Sequence, residues 1–359
     1  MKKIALSALA VLTLSSTILS ASEVTPVYAK ASKLKFSGLH YFGATYKDIN
    51  DNKTANYEVR RNYLQVKAYL LEDPKSYLRV TLDTTYSESK DGHADIYAKY
   101  MYIYLNNVLP NSGVEFGMAH RPWIDYEEHQ GWLERSISKV FAEEKEAGDL
   151  TNSADLGFNL KTKTPYFTSE MGIFNGEGYH GENDVNSDTK IGDGLSAEWR
   201  FTAATMGNGK KHRKVTKDTY VDMSFFGQYN VNSAKNSGET YTILGLHAVY
   251  NMPSFLIAGQ YLQSDSDLAN SSKYNGSGYS LNSTYRFGAK KEFSIIARLD
   301  NWENENTTSG DTEDEMNLIY GVAWQQNKNV KWLATAQNYD TDDNTKDYTS
   351  AMITAEVHW

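Results

Sequence analysis

The sequence predicts an all-β fold, a sixteen-stranded antiparallel transmembrane β-barrel with a long third loop folded into the lumen. Three observations point there. Segments that alternate apolar and polar residues recur about sixteen times. The connections between them alternate between short turns and long polar links. The chain also ends in such a segment: Ala351, Ile353, Ala355, Val357 and Trp359 alternate with Met352, Thr354, Glu356 and His358, so its last residue is aromatic.

The first strand is expected at about Leu34 to Tyr46, with Leu34, Phe36, Phe42 and Ala44 on one face. In the second, Val59 to Leu71, Leu64, Val66, Ala68 and Leu70 oppose Arg61, Tyr63, Gln65, Lys67 and Tyr69. In the third, Ser76 to Tyr86, Leu78, Val80 and Leu82 alternate with Arg79, Thr81 and Asp83. Later strands repeat the pattern: Leu195, Ala197, Trp199 and Phe201 oppose Ser196, Glu198 and Arg200, and Phe293, Ile295, Ala297 and Leu299 oppose Ser294, Ile296, Arg298 and Asp300. A helix needs apolar residues three and four apart, and these segments lack that spacing. A soluble sandwich also alternates, but it would hide its apolar face.

The links separate the two. Short turns are read at Asp73 to Lys75, Thr164-Pro165, Asn251 to Pro253, Gly288 to Lys290 and Asn327 to Asn329. Long polar links are read at Lys47 to Tyr57, Arg121 to Asn152, Glu177 to Asp193, Ser264 to Ser277, Glu303 to Glu315 and Asp340 to Asp347. One end of short turns and one of long loops suits an outer-membrane barrel with both termini on the periplasmic side. Thr205 to Asp218 breaks the rule, being long and basic where a short turn is due. Tyr46, Tyr86, Tyr100, Tyr102, Tyr104, Tyr250, Tyr261, Trp324, Trp332 and Trp359 sit where interfacial girdles are expected, although strand propensity alone accounts for tyrosines in strands.

Composition sets the bounds. Only 40% of the 359 residues are hydrophobic, which suits strands that need an apolar residue at every second position. Lys2 and Lys3 precede an apolar run, Ile4 to Leu19, the pattern of an export signal spanning 1–22, with cleavage as late as 29 as the other option. The barrel then covers 33–359, with 121–152 as the third loop. With no Cys, disulfides, thiolate metal sites and a lipidated Cys are all excluded. Removing Lys2 and Lys3 takes the net charge from -9 to -11, so nucleic acid is a poor partner.

The third loop, His120 to Leu150, is rich in titratable residues. Leu133, Ile137, Val140 and Phe141 are spaced for a short helix whose apolar side would rest on the inner wall. Arg121, Asp125, Glu127, Glu128, Arg135 and Lys139 are the candidate constriction groups. Alternation adds Arg61, Lys67, Arg79, Lys99, Arg200 and Arg298 as pore-wall cations. Asp83, Asp95, Glu115, Asp155, Glu198, Asp222 and Asp300 fall on the same side. Opposed strips of both signs would orient dipolar solutes. Salt bridges that only stiffen the wall are the plainer account of any single pair.

At this loop the chain resembles a known family. The segments FGMAHRPW, ERSISKVF, ADLGFNL and GIFNGEG, between Val114 and Gly178, are similar to porins related to the phosphate-selective porins O and P. The resemblance implies sixteen strands, usually a trimer, an inward third loop and, in some members, lumen Arg and Lys that select anions. Asp125, Glu127, Glu128, Glu134, Glu143, Glu144 and Glu146 depart from that anion pattern.

The expected function is passive diffusion of small hydrophilic solutes or ions across the outer membrane, with no cofactor. A substrate-specific channel for anions, phosphate or sugars is the narrower alternative, kept open by Tyr63, Tyr69 and Tyr77 on the lumen side. An adhesin or a rim enzyme are the other classes. No nucleophile motif, phosphate loop or dinucleotide fingerprint stands out, and nine residues across a Pro-containing loop give His120 and His129 no defined metal-ligand spacing.

Overall fold

The computed structural model describes residues 31–359 apart from 87–93, 177, 180–193, 211, 232–239, 267–274 and 306–311. The expected export signal and parts of the long links lie outside the described residues. The strands are β1 (Ala31–Ile49), β2 (Asn52–Leu70), β3 (Tyr77–Tyr86), β4 (Ala94–Leu109), β5 (Ser112–His120), β6 (Ala154–Lys163), β7 (Phe167–Phe174) and β8 (Leu195–Met206). They continue as β9 (Tyr220–Val231), β10 (Thr240–Met252), β11 (Phe255–Ser266), β12 (Gly276–Phe287), β13 (Phe293–Glu305), β14 (Thr312–Gln325), β15 (Val330–Thr341) and β16 (Tyr348–His358). Each pairs antiparallel with its chain neighbours, and β1 pairs with β16, so the sheet closes.

The alternation sorts the side chains as expected. Leu34, Phe36, Leu64, Phe116, Leu195, Leu246 and Ile353 point outward and are exposed, while Asp83, Glu115, Glu198, Arg200 and Arg298 point inward and are buried. A closed sheet leaves no unpaired edge, and an apolar belt around it suits lipid rather than water. This is an integral membrane barrel of the outer-membrane type.

Closure reaches the last residue. Gly38 N–H donates to the Trp359 carbonyl at 2.9 Å, and Trp359 N–H returns a bond to the Gly38 carbonyl at 3.1 Å. The Trp359 indole lies across Gly38, where a Cβ has no room, and its Nε1 donates to His40 Nε2 at 2.8 Å.

Two expectations about links and faces are corrected. The stretch Lys47 to Tyr57 is no long loop. β1 and β2 run on to a turn of Asn50 and Asp51, both left-handed at φ 50° and 66°, the mirror-image turn that matches strand twist. Tyr100, Tyr102 and Tyr104 do not join a girdle; the first two are 4% and 2% exposed, and all three face the lumen. The cause is a β-bulge. Tyr100 opposes Thr81 and Ala98 opposes Leu82, so Lys99 is an extra residue, and both Lys99 and Tyr100 turn inward. A second bulge does the same in β2. Arg61 opposes Tyr41 and Val59 opposes Phe42, leaving Arg60 unmatched beside Arg61.

The inner face is not uniform. On β9 to β15 it carries Phe226, Ile243, Leu262, Ile296, Trp302, Ile319 and Leu333, all buried. On β2 to β4 it carries tyrosines and charges instead.

Candidate functional site

Segment 121–152 connects β5 to β6 and packs on the apolar half of the inner wall. It opens with helix α1 (Pro122–Gln130). Pro122 pre-sets the first turn, where a backbone N–H is not needed. The helix ends at Gly131, whose N–H donates to the Glu127 carbonyl at 2.9 Å. The helix expected over Leu133 to Phe141 is absent; turns occupy that stretch, followed by a short 3-10 turn at Phe141–Glu143. Ser136 and Ser138 interrupt it, and serine competes with helical backbone bonding. The apolar residues there are buried all the same. Trp123, Ile124, Trp132, Ile137, Val140, Phe141 and Leu150 form one cluster with Phe226, Ile243, Ile296, Trp302, Ile319 and Leu333 of the wall. Trp123 stacks on Phe226 with ring centroids 3.6 Å apart.

Polar contacts tie the same segment to wall side chains. Arg298 donates to the Lys139 carbonyl at 2.5 Å and to Ser138 Oγ at 3.1 Å, while its Nε binds Asp300 at 2.8 Å. Arg60 donates to the Ile137 carbonyl at 3.1 Å. Lys331 pairs with Glu134, and Gln260 donates to Glu127.

The predicted residues therefore separate into three groups. Arg121, Glu127 and Arg298 are withdrawn from open space. Arg121 is 2% exposed and bound to Glu198 at 2.5 Å, with Asp155 at 3.8 Å. Glu127 is 1% exposed against β11. These three fasten the segment to the wall, because a buried charge needs a partner more than it needs a solute.

Asp125, Glu128, Arg79 and Arg200 instead line a cavity of about 1450 Å³ that runs along β2 to β8 towards the end carrying both termini. Tyr63, Tyr69, Tyr77, Tyr100, Tyr102 and Tyr104 line it as well. Arg79 Nη1 lies 3.0 Å from His120 Nε2 and 3.3 Å from the Tyr102 hydroxyl, with its guanidinium over the Tyr100 ring at 4.6 Å. Among the described residues, no carboxylate lies within ion-pair distance of Arg79. His120 is held from its other side by Glu115 at 2.9 Å. Lys161 is the most heavily countered cation, within 3.0 Å of Asp125, 3.2 Å of Glu115 and 3.3 Å of Glu170. Arg200 pairs with Glu170 at 3.0 Å and lies over Tyr126. Lys67 sits over the Tyr77 ring at 4.4 Å.

Above this cavity, Arg135 bridges Glu128 and Glu143, the latter at 3.0 Å, and Lys139 lies 3.9 Å from Glu143. Across from them Arg61 pairs with Asp83 at 3.4 Å. Lys99 is fully buried, its ammonium over the Tyr63 and Tyr179 rings at 5.3 and 4.9 Å, with no hydrogen-bond acceptor among the described residues. Sequence reasoning missed Arg60, because strict alternation assigns it to the lipid side; only the bulge re-aims it.

Within the segment, carboxyl groups are pulled apart. Burial pushes Glu127 up to about 8, only partly offset by Arg298. Burial and the neighbouring Glu146 carboxylate push Glu144 up to about 8. Burial opposes ionisation of Glu143 too, but Arg135 and Lys139 outweigh it and hold the group down to about 2.

No family model matches the chain, and no curated protein matches it in sequence. Solved structures do match. The barrel superposes on a loop L8 deletion mutant of OmpT, an outer membrane protein of Vibrio cholerae, with TM-score 0.65 at 13% identity, covering 92% of this chain and 100% of that one. An anion-selective porin from Comamonas acidovorans gives TM-score 0.64 at 10% identity, over 91% and 99% of the two chains. Salmonella typhi OmpF, solved with daunomycin, gives 0.60 at 10% identity, over 92% and 98%. Identities this low establish a shared fold.

Proposed function

We propose that this chain is an outer-membrane porin. Small hydrophilic solutes or ions diffuse through it passively, with charge selection where segment 121–152 narrows the lumen. One observation carries the reading: a cavity of about 1450 Å³ survives beside the docked segment, lined by Arg79, Lys161, Arg200, Asp125 and seven tyrosines, Tyr126 included. Charges spread over that many strands are costly to hold unless water reaches them. Solved porins of the same fold support it, one of them the anion-selective porin of Comamonas acidovorans. The four motifs that resemble the phosphate-selective porins O and P support the wider family. The acids that counter Lys161 argue against carrying phosphate selectivity over. A homotrimer fits the reading, and a Vibrio cholerae OmpT of this fold is described in a trimer form.

Planar-bilayer conductance of refolded protein under a salt gradient tests the reading. Discrete steps, in threes for a trimer, are expected, with a reversal potential that reports the ion preference. Folded strand signal without conductance removes it.

A substrate-specific channel is the second reading. Tyr77 stacks with Tyr104 at 5.2 Å and meets Tyr69 at 5.6 Å, beside Lys67 and Arg79. Such a strip suits a solute with a flat face, sugar or anion. Concentration-dependent block of conductance by that solute, absent in Tyr77→Ala, tests it.

A further inference from the structure

The β8–β9 link does not behave as the short turn its position calls for. It covers 207–219, at the end where the other described turns are short. It is pinned inside the barrel rim. Asn251, fully buried on β10, donates to the carbonyls of Val215 at 2.8 Å and Asp218 at 2.7 Å. Arg213 grips the buried Asp222 with both guanidinium nitrogens at 2.6 Å, its plane over Tyr220. Val215 packs against Tyr220, Val249 and Leu256, the cluster that Leu133 of segment 121–152 also joins. Asp222 accepts a bond from the Tyr126 hydroxyl at 3.0 Å, and the Tyr220 hydroxyl donates to Gln130 at 2.9 Å. The two segments thus meet through Asp222 and Tyr220.

The basic face of the link looks the other way. Lys210, His212 and Arg213 line the open cavity together with Lys163 of β6. Lys163 Nζ lies 3.3 Å from His212 Nδ1, and Lys210 pairs with Asp218 at 2.6 Å. Arg213 and Lys210 have acids; Lys163 faces another base.

We propose that segment 207–219 is a second constriction element: it closes the β9–β11 side of the lumen from the periplasmic end and gives the remaining cavity a cationic exit at Lys163 and Lys210, which favours small anions. The proposal rests on the porin reading. It places charge selection at two levels, so that the exit acts in series with the groups around Arg135.

The test uses the full chain in planar bilayers under a potassium chloride gradient near 0.1 M, where the screening length is about 10 Å. In Lys163→Gln/Lys210→Gln the reversal potential is expected to shift towards cations, and the shift should shrink as salt rises. Replacing 208–217 with a two-residue turn is expected to raise unit conductance. A double variant with the wild-type reversal potential overturns the proposal, as does a folded truncation whose unit conductance does not rise. If the truncation does not fold, the double variant still decides. A silent wild-type protein would instead sink the porin reading itself.

Discussion

The two halves of the barrel share one outer surface and differ in their inner one. Outside, β3 and β13 are interchangeable: Leu78 and Ile295 are both exposed apolar residues on the lipid side. Inside, β2 to β8 present Arg61, Tyr63, Arg79, Lys99, Glu115 and Arg200, while β9 to β15 present Phe226, Ile243, Ile296, Ile319 and Leu333. Lipid asks the same of every strand. The lumen asks one half to stay wet and the other to hold a loop. The difference teaches that an apolar residue on the polar face of a barrel strand marks a docking wall rather than an error in the pattern.

The largest test removes the apolar contact. Phe141→Ala opens a cavity against Trp302 and should weaken docking of 121–152 by about 3–5 kcal/mol. Unit conductance should rise and the segment should become protease-sensitive, while the barrel keeps its strand signal. Unchanged conductance and protection would mean that the dry half does not hold the loop. On the common outer face, Val80→Arg or Leu82→Arg should impair assembly by about 2–4 kcal/mol near the midplane. Normal yield of folded barrel would reverse the assignment of faces.

On the wet half, Arg79→Ala with Arg135→Ala should move the reversal potential towards cations without unfolding. Arg135 sits between Glu128 and Glu143, so its loss also frees two carboxylates. An unchanged potential would remove both from selectivity.

The smallest effect is in pH. Glu127 titrates near its ordinary 4.5 when released and at about 8 when docked. Below 4.5 both states hold the proton. Between these values only the docked state holds it, so docking weakens as pH rises and levels off above about 8. Glu144 has the same sign. Glu143, held down to about 2, has the opposite sign and adds stability that is lost below 4.5. Tryptophan fluorescence of Trp123 and Trp132 should report a slope between pH 5 and 8 that flattens in Glu127→Gln; an equal slope in the variant would acquit Glu127.

Most of the fold was legible because lipid imposes a period of two on the outer face. Sixteen strands and their lipid-facing sides follow from that rule. What failed, failed where a local feature overrides the period. The bulges at Arg60 and Lys99 insert one residue each, and no residue type announces a bulge. The tyrosines of β4 were consequently assigned to a girdle. Asn50 and Asp51 read as loop composition, yet they form a tight turn between two 19-residue strands. The helix expected at Leu133 to Phe141 mistook burial for periodicity. Arg121 and Glu127 were chosen for their charge, but charge alone does not say whether a partner or a solute neutralises it. A signal for the docking wall was present: Ile296 already stood among Ser294, Arg298 and Asp300 on the polar face.

The seam between β1 and β16 has a consequence in time. Gly38 and Trp359 stand almost a full chain length apart and share two backbone bonds. Contacts so distant in sequence carry the greatest loop-closure cost and form late. Until β16 is in place, β1 keeps an open edge ready to pair with any strand nearby. A chain cut short by a few residues would therefore be more than a slightly smaller barrel. It would be a sheet with a free margin, prone to join its neighbours.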